Sequence, residues 1–330
     1  MMLRIGWIRI PAGPLFAALA FLAHSPALAG TIQIGVLKFG TVSWELDTIE
    51  RNGLDQAEGL DLQIVELAST AATTVALQAE DVDVIVTDWL WVTRQRAKGA
   101  RFTFVPYSTS VGALMVPPDS SLATLADLQG KKLGIAGGPV DKSWLVVRAA
   151  AAQRHGIELD QAVEKVFAAP PLVNEEILSG RLDGVINYWN FVAQLEARGF
   201  KKLVDIEEAM RDLGIRSRVP LLGYVFDETW AEAHKEEVLA LVRASRKAKD
   251  LLAQSDAEWE HLRPLMKTPD EATFVALRDG FRKGIPDSWG DAERADAVRL
   301  FAVMAKLGGE ELVGGSTELQ PGTFWPAVSY

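Results

Sequence analysis

The chain has no cysteine. That excludes a disulfide scaffold, a thiolate nucleophile and a Cys-ligated metal, and leaves an apolar core to hold the fold together. Histidine is scarce as well. Beyond the first 29 residues only His155, His234 and His261 occur, on separate predicted helices, with no HExxH and no i, i+4 partner. Basic charge is in short supply: 34 Lys and Arg stand against 44 Asp and Glu, a formal net charge of −10. Such acidity argues against nucleic acid or an anionic membrane surface as partner. No GxGxxG and no GxSxG elbow occurs, and Gly138-Pro139-Val140-Asp141-Lys142-Ser143 lacks the Gly before the Lys that lets a backbone wrap a phosphate. The sequence calls for no cofactor and no metal.

Long uncharged apolar runs are missing too, since a membrane-spanning helix needs about 20 such residues. The nearest approach is at the start, where Arg4 and Arg9 precede the short apolar run Gly13 to Leu22 and the small residues Ala27-Leu28-Ala29. This is the grammar of a secretory signal over residues 1–29, cleaved near Ala29, and it predicts an exported protein that begins at Gly30. Removing Arg4 and Arg9 takes the net charge from −10 to −12. What is abundant is apolar side chain, 48% of the whole, enough for a two-domain core.

The most informative feature present is a phrase said twice. Leu77-Gln78-Ala79-Glu80-Asp81-Val82-Asp83-Val84-Ile85-Val86-Thr87-Asp88-Trp89 reads as a helix end, a turn and a buried strand with a polar and aromatic tip. Ile177-Leu178-Ser179-Gly180-Arg181-Leu182-Asp183-Gly184-Val185-Ile186-Asn187-Tyr188-Trp189 repeats it, with Asp83 opposite Asp183 and Trp89 opposite Trp189. In α/β units the carboxyl end of a parallel strand faces the ligand crevice. Two such units predict two similar lobes offering strand tips to one cleft.

The rest of the pattern agrees. Strands are predicted at Thr31 to Val36, Leu62 to Leu67 and Val82 to Thr87, with helices at Trp44 to Gln56, after the Ser69-Thr70 cap, and at Leu90 to Lys98. This βαβαβα order predicts a mainly parallel sheet with helices on both faces. After two strand-like runs and Pro117-Pro118-Asp119, a second set follows: a short helix Ser121 to Leu128 capped by Ser120 or Ser121, a strand to Ala136, a helix Asp141 to His155, a strand Val163 to Phe167, a helix around Val173 to Leu178 and a strand Gly184 to Asn187. Val219 to Phe226 reads as a return crossing, and everything beyond Thr229 as helical. The predicted organisation is residues 1–29 signal, 30–118 first lobe, 119–218 second lobe, and 219–330 the return to the first lobe with C-terminal helices.

Several of these runs resemble the solute-binding proteins of ABC importers, and within them the nitrate/sulfonate/taurine group. They are Ala76-Leu77-Gln78-Ala79 before Val82-Asp83-Val84, Leu125-Ala126-Asp127-Leu128-Gln129-Gly130-Lys131-Lys132-Leu133-Gly134, Ile177 to Val185, and Phe226-Asp227-Glu228-Thr229-Trp230. The resemblance covers most of the mature chain. It implies the α/β fold of a two-lobed type II periplasmic binding protein, a small-molecule ligand of the sulfonate, nitrate or pyrimidine-like class, and an ABC permease in the inner membrane as partner. A monomer without enzymatic activity is expected. One departure is that Glu80-Asp81 stands where that family often has a Gly ahead of the Asp83 position, which touches a turn and not the ligand.

By the strand-end rule the candidate ligand-binding residues are Phe39, Thr41 and Trp44, then Ser69 and Thr70, then Asp88 and Trp89. From the second lobe come Gly138, Asp141 and Trp144, and Asn187, Tyr188 and Trp189. Tryptophans at these tips offer flat walls to a planar or cationic ligand. Ser69-Thr70 and Gly137-Gly138 each precede a helix whose N–H groups suit an anion, whereas Asp88 and Asp141 suit an amine or amidine. Ligand charge is therefore open at this level. The alternative function is an enzyme on the same two-lobe fold, a lyase or dehydratase with Asp88 as its acid or base.

Overall fold

A computed structural model describes residues 30–38 and 40–330. The signal predicted over residues 1–29 and the candidate Phe39 lie outside the described residues. The chain opens with β1 (Gly30–Leu37), α1 (Val42–Arg51), α2 (Leu54–Ala57), β2 (Leu60–Leu67), α3 (Thr70–Gln78), β3 (Val84–Asp88), α4 (Trp89–Arg96) and β4 (Phe102–Ser108). The middle comprises β5 (Ala113–Val116), β6 (Lys132–Ala136), α5 (Lys142–His155), α6 (Leu159–Ala162), β7 (Glu164–Ala168), α7 (Pro170–Leu178), β8 (Gly184–Asn187), α8 (Trp189–Glu196), β9 (Lys201–Asp205) and α9 (Ile206–Asp212). The last part is β10 (Leu222–Asp227), α10 (Glu228–Ala233), α11 (Lys235–Gln254), α12 (Asp256–Met266), α13 (Glu271–Lys283) and α14 (Asp291–Val313).

These strands form two five-stranded sheets of one topology, β2-β1-β3-β10-β4 and β7-β6-β8-β5-β9. In each, three parallel strands are followed by one antiparallel strand that entered from the other sheet, β10 in the first and β5 in the second. The central strands β3 and β8 are nearly or fully buried, as strands covered on both faces must be.

The repeated phrase has a physical meaning. Asp83 accepts the Gln33 backbone N–H at 2.7 Å while its own N–H donates to the Gln33 carbonyl. Asp183 does the same with Lys132, its carboxylate 2.8 Å from the backbone nitrogen. Each aspartate thus sets the register of its third strand against the first, before regular pairing begins.

The strand order moves the first crossing. Because β5 pairs with β8 and β9, the chain has changed sheets by Ala113, ahead of Pro117-Pro118. The link is Thr109 to Gly112, where an added Cβ on Gly112 would sit 1.8 Å from the Asn187 carbonyl oxygen, so only glycine fits. The return runs from α9 to β10. Arg218 on that return donates to Thr109 Oγ1 at 2.8 Å and to the Lys283 carbonyl, and Thr109 N–H donates to the Gly284 carbonyl at 2.9 Å. Both crossings are thereby tied to the end of α13.

Three further expectations change. The short helix before β6 is a 3-10 turn, Leu125–Leu128, capped by Thr124 and Asp127 rather than by Ser120 or Ser121. The strand β9 and helix α9 were not anticipated; the alternation in Lys201–Asp205 is short and half exposed. And the chain beyond Val313 is not helical. It runs back along β4, where Trp325 N–H donates to the Phe104 carbonyl at 3.0 Å, and Tyr330 exchanges backbone hydrogen bonds with Trp289. The tail covers what would otherwise be an open sheet edge.

Candidate functional site

A cavity of about 480 Å³ lies between the two sheets. The tips of β3 and β8 meet in it as Asp88 and Tyr188, the two chemically different ends of the repeated phrase. Thr41 and Val42 enter from the start of α1, Thr70 from the start of α3, and Asp141 and Lys142 from the start of α5. Ser110 and Gly112 of the first crossing and Leu221 and Leu222 of the return complete the contact with both links between the lobes. The walls are mostly apolar, with few and convergent polar groups, as ligand cavities generally are.

The charged side chains lining it, among the described residues, are Asp88, Asp141 and Lys142. Lys142 Nζ reaches Asp88 Oδ2 at 3.0 Å, an ion pair joining a helix start of one lobe to a strand end of the other. Burial pushes the Asp88 carboxyl up, but the Lys142 charge and hydrogen bond, the Trp91 N–H and the charge of Arg94 outweigh it, so it stays below the usual range. Burial likewise pulls Lys142 down, while Asp88 and Asp141 raise it to about 12. Asp141 behaves oppositely: burial lifts it above the usual carboxylate range despite Lys142 and the backbone N–H groups of Trp144 and Ser143. Tyr188 is raised by burial and by Asp141.

Asp88 and Asp141 also do local work. Asp88 Oδ1 accepts the Trp91 N–H at 2.8 Å and caps α4; Asp141 Oδ1 accepts the Trp144 N–H at 3.1 Å and caps α5. Ser69 caps α3 through the Ala72 N–H at 3.1 Å.

Six of the sequence candidates line the cavity: Thr41, Thr70, Asp88, Asp141, Tyr188 and Trp189. The others do not. Trp89 is fully buried in the core, its indole N–H donating to the Pro220 carbonyl at 3.0 Å and its ring edge-on to Phe324. Trp144, the third residue of α5, is fully buried as well and packs in the core, outside the cavity lining to which Lys142 belongs. Both lie in the first turn of a helix that starts at the cavity, Trp89 as the first residue of α4 and Trp144 as the third of α5, where a side chain can turn inward to the core as readily as outward to the cleft. Asn187 is 1% exposed and spends its amide on the Pro170 carbonyl, Asn174 and the Tyr188 N–H. Ser69 is exposed but occupied with its cap, and Gly138 sits outside the lining. Trp44 is a layer behind: it packs edge-on to Trp189 at 6.1 Å, and both meet Phe281 of α13. The cavity-facing tryptophan is thus backed by the C-terminal helices.

Tyr107 was missed. It lies near the end of β4, 4% exposed, on the cavity wall, and its hydroxyl has no hydrogen-bond partner although Thr41 is beside it. A buried donor left unsatisfied costs roughly 1–3 kcal/mol. Behind it, Lys249 Nζ stands 4.4 Å over the Tyr107 ring and pairs with the buried Glu45 at 2.5 Å. Glu45 also accepts from Tyr224 at 2.7 Å and Ser245 at 2.5 Å.

The sequence family described as NMT1/THI5 like matches residues 50–258, more than half of the chain. The chain belongs to that family. No similar curated protein was found. Among solved structures, the alkanesulfonate-binding protein SsuA of Xanthomonas axonopodis pv. citri, bound to MOPS, superposes with a TM-score of 0.67 at 18% identity, over 92% of this chain and 99% of that one. The periplasmic aliphatic sulphonate binding protein SsuA of Escherichia coli gives 0.71 at 17%, over 89% and 92%. The desulfurization enzyme DSZB gives 0.59 at 14%, over 84% and 92%. At these identities the likeness concerns the fold: this NMT1/THI5-like chain has the two-lobed architecture of periplasmic binding proteins.

Proposed function

We propose that the chain is the solute-capturing component of an ABC importer, exported to the periplasm and cleaved near Ala29. It acts as a monomer that closes around a small organic solute and hands it to a permease in the inner membrane. The supporting observation is the cavity itself. It draws Asp88 from the tip of β3, Tyr188 from the tip of β8 and lining residues from both crossings, so its volume depends on the angle between lobes. The lobe boundary expected between 118 and 119 moves in this reading to the Thr109–Gly112 link, the second lobe runs on to about residue 218, residues 219–330 return to the first, and both crossings act as hinge. The solute class implied by the family resemblance spans sulfonates, nitrate and pyrimidine-like compounds.

Asp88 is poorly suited to the alternative of a lyase or dehydratase base. It is held by Lys142, caps a helix, and its carboxyl is lowered, which weakens it as a proton acceptor near neutral pH. The test is a solute library screened by melting temperature and solution scattering. A binding solute raises the melting temperature and reduces the radius of gyration together; turnover of a bound solute, or binding without compaction, contradicts the receptor reading.

A further inference from the structure

Resting on the receptor reading of the same cavity, its charge layout says which solutes it takes. A helix N-terminus ordinarily attracts an oxyanion through its free N–H groups and dipole. Here the two helix starts that bring charged residues into the cavity, α4 and α5, are closed by the protein's own carboxylates, Asp88 and Asp141. The one lysine lining the cavity is held by Asp88 at 3.0 Å. The starts of α1 and α8 also open on the cavity without a side-chain cap, but they bring no charge to it, so an incoming sulfonate or nitrate meets two carboxylates against one ammonium that is already paired.

Asp141 is left over. It has no ion pair of its own among the described residues, and Tyr188 stands next to it, its hydroxyl 3.2 Å from the Cβ that Gly137 would carry. A second, independent observation also points to a ligand. Tyr107 is 4% exposed on the same cavity wall, and its covered hydroxyl makes no well-formed hydrogen bond, with only Thr41 beside it. Burial and the nearby Glu45 charge keep this phenol protonated, so it has a proton to offer an acceptor. Between these polar points the lining is Leu37, Val42, Val86, Val111, Leu222 and the face of Trp189.

We infer that the cavity selects a small solute carrying a protonated amine or amidine for Asp141 and a neutral acceptor, a carbonyl or ether oxygen, for Tyr107, in preference to sulfonates and nitrate. The amine gains a charge-assisted hydrogen bond from a carboxylate that forms no ion pair of its own among the described residues. Its apolar body lies on Trp189, where a cation gains further from the ring face.

Matched probes decide this. The amine 4-(aminomethyl)benzamide is compared with 4-carbamoylbenzenesulfonate, and 5-aminopentanamide with hexanesulfonate and nitrate, by calorimetry on the full mature chain. The amines bind at least about tenfold more tightly than the anions. Asp141→Asn, which preserves the α5 cap, weakens amine binding about tenfold or more. Tyr107→Phe weakens it several-fold while leaving the ligand-free melting temperature unchanged or higher, an outcome a merely structural tyrosine does not give. Tighter binding of a sulfonate or nitrate, lost in Lys142→Met, overturns the inference and leaves the receptor reading standing. Binding by neither class also overturns it; the receptor reading falls only if the wider library shows no ligand-linked compaction.

Discussion

Asp88 and Lys142 close the cavity from opposite lobes, the carboxylate of a β3 tip 3.0 Å from the ammonium at the start of α5. Their pairing holds the lobes together before any solute arrives, and its half-buried position limits its worth to on the order of 1 kcal/mol. Lys142→Met is expected to enlarge the radius of gyration of the solute-free protein and lower its stability by about that amount. The pH dependence has a definite sign. Asp88 is lowered in the folded state, so its contribution is complete above the ordinary carboxylate value of 3.8 and fades as pH falls through the lowered one. Lys142 is raised to about 12, so its contribution is complete below 10.5 and fades as pH rises through 12. Urea titrations from pH 3 to 6 check the acid limb: the wild-type advantage over Lys142→Met shrinks toward pH 3, whereas a constant difference contradicts the pairing.

The twin tryptophans separate stability from binding. Trp89→Ala removes a fully buried side chain and its hydrogen bond to Pro220, and is expected to cost about 3–5 kcal/mol. Trp189→Ala, on the cavity side, costs less but weakens solute binding at least about tenfold. Chemical denaturation beside calorimetry reads both numbers, and equal effects on binding contradict the assignment.

Glu45 and Lys249 form a buried ion pair, 0% and 8% exposed at their side chains, that joins α1 to α11 behind Tyr107. Lys249→Met strands the Glu45 carboxylate without its cation and is expected to cost about 3–5 kcal/mol. Pairing it with Glu45→Leu recovers most of the loss, because two apolar side chains need no partner. A double variant no better than the single one shows that the pair is not what the site depends on.

Glu80 occupies a left-handed turn at φ 61°, where the second lobe has Gly180 at φ 70°. A side chain in that conformation is strained, and glycine relieves it at the cost of a freer unfolded chain. Glu80→Gly is expected to stabilise by up to about 1 kcal/mol, read as a rise in melting temperature with solute binding unchanged.

The duplicated lobe was legible in the sequence because it is written twice in the same grammar. Asp83 and Asp183 perform one task in two sheets, and the departure at Glu80 against Gly180 marks the same turn. Strand ends were legible as cavity positions, as Asp88 and Tyr188 show, since the chain reverses there by rule. Which way a side chain in the first turn of the following helix points was not, and Trp89 and Trp144 went to the core. Tyr107 was hidden for a different reason. It belongs to β4, whose seven residues are all buried, so no alternation marks the one that reaches the cavity. Its only signal was a phenol near the carboxyl end of a strand that otherwise reads as core. Ion pairing between lobes leaves no trace in spacing at all: Asp88 and Lys142 are 54 residues apart.

The most direct test of solute capture between the lobes is native mass spectrometry of the protein purified gently from the cells that make it. The Trp189→Ala and Trp89→Phe variants are prepared alongside it. The expected spectrum shows one small organic molecule per chain in the wild type and in Trp89→Phe, absent in Trp189→Ala. A molecule retained equally by all three proteins places the binding site elsewhere and contradicts the assignment of this cavity.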